Sequence, residues 1–379
     1  MGPLKSLKIV EFAGIGPGPM AAMALADLGA TVLRLDRKEP SGLGISKPPR
    51  FDILLRGRKR VAVDLKLPDG KALALELIES ADALIEGFRP GVMERLGLGP
   101  DDCFARNPRL VYGRMTGWGQ TGPLARSAAH DINYIAISGA LDAIGRRGAA
   151  PTPPLNLVGD YSAAIYLAFG MVSAILSSRE TGQGQVVDAS IAEAAAHLMT
   201  HAFGMAAAGL SSGERGTNLL DGGVPYYDSY LCKDGKYVSI GAIEDKFFDE
   251  LLTRIGFDPK TFPRQRDASR HDEMRRAFAC KFLEKSRDEW CHILEGSDSC
   301  FAPVLNVAEA AAHQQYAARA FFREIDGILQ PGPVPAFSLT VPSTPSPPQT
   351  DPYADAAEAL DGWLPSDRLK QILSLGLNA

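Results

Sequence analysis

Short apolar β-type runs alternate with helical stretches through the first third of the chain, and this alternation restricts the folds it can reach. Leu7–Phe12 is a strand candidate, and Pro19 opens a helical stretch that closes at Gly29. Thr31–Leu35 is the next strand, a helix is expected over Gly70–Ala81, and Ala83–Glu86 and Arg109–Met115 follow as strands. Proline suits a first helical turn and glycine a C-terminal cap, so the punctuation agrees with the periodicity. Repeated strand–helix–strand units build a mostly parallel sheet covered by helices on both faces.

The character of the chain then changes. Asp160 precedes a 14-residue apolar run, Ala163–Leu176, which is short of the roughly 20 residues that span a bilayer and reads as a core helix. A short strand over Gln185–Asp188 and a second Ala-rich helix over Ala189–Leu210 follow. From Tyr226 two strands joined by the turn Lys233-Asp234-Gly235, then amphipathic helices between Asp245 and Glu295, predict a smaller α+β domain. Residues 331–352 hold eight prolines and predict an extended connector, with short helices over Ala354–Leu364 and Pro365–Leu375 behind it.

A chain of 379 residues has room for two such domains, at about 150 residues each. Its 45% hydrophobic and 22% charged residues exclude a disordered, collagen-like or coiled-coil protein. A net charge of −5 gives no general basic attraction for nucleic acid. The five scattered cysteines form no CxxC pair, which argues against a disulfide framework or a Cys-based zinc site and fits a reducing compartment. With no apolar signal core in the opening residues, a soluble, cytoplasmic protein is expected.

Four features carry candidate chemistry. The cluster Gly14-Ile15-Gly16-Pro17-Gly18-Pro19 lies between a strand and a helix. As a dinucleotide fingerprint it fails from Gly14 and passes from Gly16, but Pro17 and Pro19 offer no N–H to a pyrophosphate, so a tight turn beside some ligand is the better reading. Between Thr31 and Lys66 ten basic residues face four acidic ones. Guanidinium forks suit phosphate oxygens, while a solvated charged face is the ordinary alternative, and charge alone does not choose. His197 and His201 stand at i,i+4, yet HLMTH lacks the glutamate of a zinc protease, so packed or interface histidines are expected. Finally, the Gly-rich loop Arg114–Pro123 delivers His130, and Asp160 stands where an apolar helix begins. Singly they read as a loop histidine and an N-cap; together they are what a two-base proton transfer requires.

GRMTGWGQTGPLA, HDINYIA, PPLNLVGD, LLDGGVPYYDSY and GAIEDKFF resemble the α-methylacyl-CoA racemases of the family III CoA-transferase superfamily. GIGPGPMAAMALADLGATVLRLDR, LIEGFRPGVMERLGLGP and CFAPVLNVAEA carry the same resemblance along most of the chain. It implies an isomerase of lipid metabolism that interconverts (2R)- and (2S)-2-methylacyl-CoA thioesters, including those of branched-chain fatty acids, through an enolate. His130 and Asp160 would be the two acid/bases, serving the S and R isomers respectively. Glu244 would hydrogen-bond the histidine from the small domain. Coenzyme A would lie against Arg37, Arg56, Val63, Asp64, Leu65, Lys66, Gly87, Phe88, Arg89 and Arg95, with Ala129, Asp131, Ile132, Asn133 and Tyr134 lining its pantetheine and thioester end. N–H groups around Asp160, at a helix start, could help hold the enolate oxygen.

The implied fold is a Rossmann-like large domain plus a smaller α+β domain, in an interlocked homodimer. Residues 1–190 would be the first part of the large CoA-binding domain, 191–224 a linker helix, 225–310 the small domain and 311–379 the return to the large one. No metal or separate cofactor is expected, because coenzyme A arrives as part of the substrate; neither nucleic acid nor membrane is expected as a partner. The chain departs from the racemase pattern at Ala129 and Asp245, and at Ser162-Ala163-Ala164, which would add volume beside the thioester. The alternative is a family III CoA-transferase, in which Asp160 would be the covalent nucleophile.

Overall fold

A computed structural model describes residues 2–39, 42, 44–351 and 356–374. The N-terminal alternation forms β1 (Lys8–Phe12), α1 (Pro17–Asp27), β2 (Thr31–Asp36), β3 (Arg58–Ala62), α2 (Pro68–Glu79), β4 (Ala83–Glu86) and β5 (Val111–Thr116). After β5 come α3 (Asp131–Ile137), α4 (Asp160–Thr181), β6 (Gln185–Ser190) and α5 (Ile191–Leu198). The strands lie in the order β3-β2-β1-β4-β5-β6, each pair parallel. The order reverses between β1 and β4, which is the doubly wound arrangement and opens a crevice at the C-terminal strand ends.

Successive strand residues face opposite sides, so the sheet has two cores. Val10, Phe12, Leu33, Leu84 and Tyr112 pack with Leu73, Leu77 and Ile78 of α2 and with Leu360, Trp363 and Ile372 near the C-terminus. Ile9, Val32, Ala83, Ile85 and Val111 pack with Ala21, Ala22 and Leu25 of α1 and Leu167 and Met171 of α4. Each fully buried Leu or Ile contributes about 1.5–3 kcal/mol of transfer free energy. Helix α1 starts at Pro17, two residues before Pro19; prolines are tolerated there because first-turn N–H groups have no intrahelical acceptor.

Two helical expectations are corrected. The apolar run grows into a helix of 22 residues, long and apolar enough by length and composition to cross a membrane. Its inner face is nonetheless buried in the second core, while Ile165, Phe169, Val172 and Leu176 form an exposed stripe on its outer face. The helix expected over Ala189–Leu210 is broken. Ala189 and Ser190 continue β6 by pairing with Met115 and Thr116, and separate helices cover Ile191–Leu198 and Thr200–Ala207.

Two compact units emerge. The larger holds residues 1–138, 155–198 and 318–379; the smaller holds 139–154 and 199–317. The division therefore falls at 138, 154, 198 and 317 rather than at 190, 224 and 310, and 191–224 is shared between the units instead of forming one linker. In the smaller unit α6 (Thr200–Ala207) precedes β7 (Tyr227–Leu231), β8 (Tyr237–Gly241), α7 (Asp245–Ile255), α8 (His271–Phe282), α9 (Arg287–Leu294) and β9 (Phe301–Pro303). Its antiparallel sheet, in the order β7-β8-β9, covers a core of Ile240, Phe248, Leu252, Phe278 and Trp290.

The chain returns to the larger unit with the hairpin β10 (Phe322–Ile325) and β11 (Ile328–Pro331), then a stretch over 332–351 with neither helix nor strand. It ends in α10 (Ala356–Leu360) and α11 (Ser366–Ser374); the remaining positions of the expected terminal helices at 354, 355 and 375 lie outside the described residues.

Candidate active site

The sequence clustered ten basic residues near the N-terminus; the fold disperses them. Glu11, fully buried on β1, accepts from Arg34 at 2.6 Å and from Arg58 at 2.5 Å. Asp36 accepts from Arg34 at 3.1 Å and from Arg60 at 2.7 Å. Arg56 is buried too, its Nε and Nη2 on Asp27 at 3.0 and 2.5 Å and its Nη1 on Gln330 and the Pro331 carbonyl. Buried guanidinium groups need such partners because an unpaired charge in the interior is prohibitively costly. These four arginines therefore brace the sheet, and the basic stretch is not one phosphate-binding face. Arg34 also donates to the Gly14 carbonyl at 3.3 Å, which fixes the turn after β1.

Residues from the strand ends remain exposed beside the crevice. The Arg37 guanidinium lies 5.6 Å from the centre of the Phe88 ring, bringing the loops after β2 and β4 together. Lys66, Gly87, Arg89 and Arg95 are exposed, Asp64 and Leu65 are half-buried, and Val63 is buried in the first core. The positive charge of Arg89 reaches the Tyr134 hydroxyl electrostatically. That hydroxyl donates to the Ala129 carbonyl at 2.7 Å, and the Tyr134 ring meets Trp118 edge-on at 4.7 Å. Gly117 permits this packing, since a Cβ there would lie 2.2 Å from the tyrosine ring.

His130 and Asp160 occupy the starts of two helices. His130 directly precedes α3; its N–H donates to Asn133 Oδ1 at 3.1 Å, and its side chain is exposed. Asp160 is the first residue of α4, with a half-buried side chain. Its backbone N–H donates to Asp131 Oδ1 at 2.7 Å, and its Oδ2 accepts from Asn156 at 3.4 Å. A third helix start joins them: a Cβ on Gly16, before α1, would lie 3.2 Å from Asp160 Oδ2. Burial pushes the Asp160 carboxyl above the ordinary carboxylate range; the Asn156 hydrogen bond opposes this, the Asp131 charge adds to it, and His130 opposes it. The fold thus brings together an imidazole and a carboxyl with raised proton affinity, the pairing that acid/base chemistry needs.

Other expectations are revised. The N–H of Asp160 is committed to Asp131 and that of Tyr161 to the Asn156 carbonyl at 3.1 Å, so neither is a donor for an enolate oxygen. Ala163 and Ala164 face the second core rather than a ligand, and the Ser162 hydroxyl turns back onto the Val158 and Gly159 carbonyls at 2.5 and 3.0 Å. Only Tyr161 and Ser162 of this run stay half-buried. Of the core or interface places expected for His197 and His201, the core is excluded: both are exposed on successive helices, and His197 Nδ1 pairs with the Tyr166 hydroxyl at 2.6 Å. Among the described residues no group of His, Cys, Asp or Glu is placed to hold a metal.

Glu244, in the smaller unit, is the exposed residue just before α7, and its carbonyl accepts from Phe247 and Phe248. Sequence reasoning missed the contributions of Gly16, Asn156 and Gly159. The glycine cluster was the available signal for the first; the other two depend on contacts between segments far apart in the chain.

The model of CoA-transferase family III matches residues 4–356. The chain is 40% identical to "Alpha-methylacyl-CoA racemase" of Mus musculus over 90% of its own length and 88% of that protein's, and the Homo sapiens protein of the same name gives the same values. "Acetyl-CoA:oxalate CoA-transferase" of Acetobacter aceti is 30% identical over 87% of this chain and 88% of its own. A crystal structure of a CAIB/BAIF family protein from Brucella suis superposes with a TM-score of 0.79 at 26% identity, covering 92% of this chain and 96% of that one.

Proposed function

The chain belongs to CoA-transferase family III and shares its fold, and from that premise we propose that it interconverts the two enantiomers of a 2-methylacyl-CoA thioester. His130 and Asp160 are the two acid/bases. One withdraws the α-proton, the thioester carbonyl takes up the electron pair as an enolate, and the other returns a proton to the opposite face. In the reverse direction the roles exchange. The observation that carries the reading is the convergence of His130 with an Asp160 whose carboxyl holds its proton more tightly than an ordinary carboxylate, as a base that must also serve as an acid requires. Racemase relatives at 40% identity, against 30% for the oxalate transferase, support the same choice.

Exposed apolar side chains flank both bases in sequence, Ile132 after His130 and Leu155 and Leu157 before Asp160, and exposed Ile15 adjoins Gly16, the residue facing Asp160 Oδ2. They favour an apolar acyl group over the dicarboxylate that a transferase for oxalate would take. Coenzyme A is assigned to the exposed cationic loops, with Arg37, Lys66, Arg89 and Arg95 nearest its phosphates. The exposed stripe Ile165–Phe169–Val172–Leu176 suits burial against a second copy, whose Glu244 would then orient His130. The five cysteines are free thiols, which suits a reducing compartment such as the cytoplasm.

Incubation in D2O with one enantiomer of a 2-methylacyl-CoA, and no acceptor acid, tests the reading. Deuterium at Cα together with the opposite enantiomer is expected. If the α-proton stays in place but an added carboxylic acid acquires CoA, the transferase reading replaces it and Asp160 is a nucleophile.

A further inference from the structure

We propose that Asp131 is a positioning residue that clamps the helix starts carrying His130 and Asp160 and holds an unneutralised negative charge against Asp160. The inference rests on the racemase reading and adds to it a third carboxylate, one that does not touch the α-carbon.

Three observations converge on this side chain. Asp131 follows His130 directly, and its Oδ1 accepts the backbone N–H of Asp160 at 2.7 Å across 29 residues of chain. One carboxylate oxygen therefore joins the start of α3 to the start of α4, and the separation of the two bases depends on it. The approach is close enough to dictate its neighbour: a Cβ on Gly159 would lie 2.3 Å from Asp131 Oδ1 and 3.0 Å from Ile135, so position 159 must lack a side chain. The other oxygen, Oδ2, is buried with no hydrogen-bond partner. Interior carboxylate oxygens are ordinarily satisfied, and an orphan is a local expense that needs a reason. No Lys or Arg forms an ion pair with Asp131 among the described residues, so its charge acts on what surrounds it.

What surrounds Asp160 is sparse in countercharge. Asp131 and His130 come from the start of α3 and Asn156 from the preceding loop. Helix α1 presents Gly16 and carries no charge before Asp27. Tyr134 also feels both carboxylates. Removing the Asp131 charge would leave Asp160 ionised more readily, with a weaker hold on the proton it must deliver.

Asp131→Asn keeps an oxygen for the Asp160 N–H and removes the charge; Asp131→Ala removes both. Racemisation of a 2-methylacyl-CoA is followed between about pH 5 and pH 9 for the two variants and the wild type. For Asp131→Asn acting on the (2R) enantiomer, from which Asp160 as the base withdraws the proton, the acid limb of the kcat profile is expected to move to lower pH. For Asp131→Ala, kcat is expected to fall about 100-fold with KM little changed, the scale of a roughly 1 Å misplacement of a reacting group. An acid limb that stays in place in Asp131→Asn overturns the electrostatic role, even if Asp131→Ala fails to fold. A kcat within about twofold of wild type in folded Asp131→Ala overturns the clamp. Wild-type protein that racemises nothing overturns the racemase reading and this inference with it, whereas active wild type with unmoved variants overturns this inference alone.

Discussion

Arg56 forks onto Asp27, Nε to Oδ1 at 3.0 Å and Nη2 to Oδ2 at 2.5 Å, with both side chains buried between α1 and the segment leading into β3. Replacing it with methionine leaves the Asp27 carboxylate buried and unpaired. A loss of about 3–5 kcal/mol in unfolding free energy is expected, measured by urea denaturation. If stability holds and KM for the thioester rises instead, the arginine serves the ligand.

His130→Ala and Asp160→Asn should each lower racemisation by at least about 100-fold, the usual contribution of a positioned acid or base. Chiral chromatography of the acyl product gives the direct reading. Activity within tenfold of wild type in either variant would remove that residue from the proton-transfer pair.

The raised proton affinity of Asp160 has a stability counterpart. Because the folded state binds this proton more tightly than the unfolded state, stability is greatest below the unfolded carboxylate pKa and declines as pH rises through the folded one. At neutral pH the ionised, half-buried carboxylate is therefore a burden. Asp160→Asn should raise Tm at neutral pH and lose that advantage in acid, seen by thermal melts at the two pH values. An unchanged or lower neutral Tm would contradict it.

Gly16 has φ +66° and sits 3.2 Å, measured from an added Cβ, from Asp160 Oδ2. Alanine there meets both backbone strain and the carboxylate. Gly16→Ala should lose about 1–3 kcal/mol of stability and lower kcat more than it raises KM. Wild-type kinetics would show that the turn after β1 yields without disturbing the base.

The second-copy assignment of Glu244 permits a complementation test. Mixed, refolded His130→Ala and Glu244→Ala chains should regain activity that neither has alone, since a heterodimer would hold one site with both residues intact. Phe169→Glu, on the exposed stripe of α4, should yield monomer by sedimentation. Failure of the mixture to recover, with heterodimers demonstrated, would place Glu244 in its own chain's site.

Much of this was legible in the sequence because strand–helix alternation is a local signal. The places of β1, α1, β2 and β4 followed from apolar runs and Gly/Pro punctuation. The inward turn of Ala163 and Ala164 was misread, because the run was expected beside the thioester, although positions 160, 163, 164 and 167 share a helical face and the periodicity pointed to the core. The fate of the arginines was not legible. Arg34, Arg56, Arg58 and Arg60 look like a phosphate-binding stretch until β1, β2 and β3 pair and bring Glu11 and Asp36 against Arg34, Arg58 and Arg60, while Asp27 of α1 takes Arg56. Likewise the bond from Asp160 to Asp131 joins segments whose register no local pattern records.

The larger unit is assembled from three separate stretches of chain, and the last supplies Leu360, Trp363 and Ile372 to the core beneath β1, β2 and β4. During synthesis, β1 to β6 emerge long before the residues that seal one side of their sheet. That side waits, wet and adhesive, while the whole smaller unit is translated and has time to fold. Deleting residues 356–374 should therefore expose apolar surface on a sheet whose strands and bases are all present, and make the product aggregate as it leaves the ribosome.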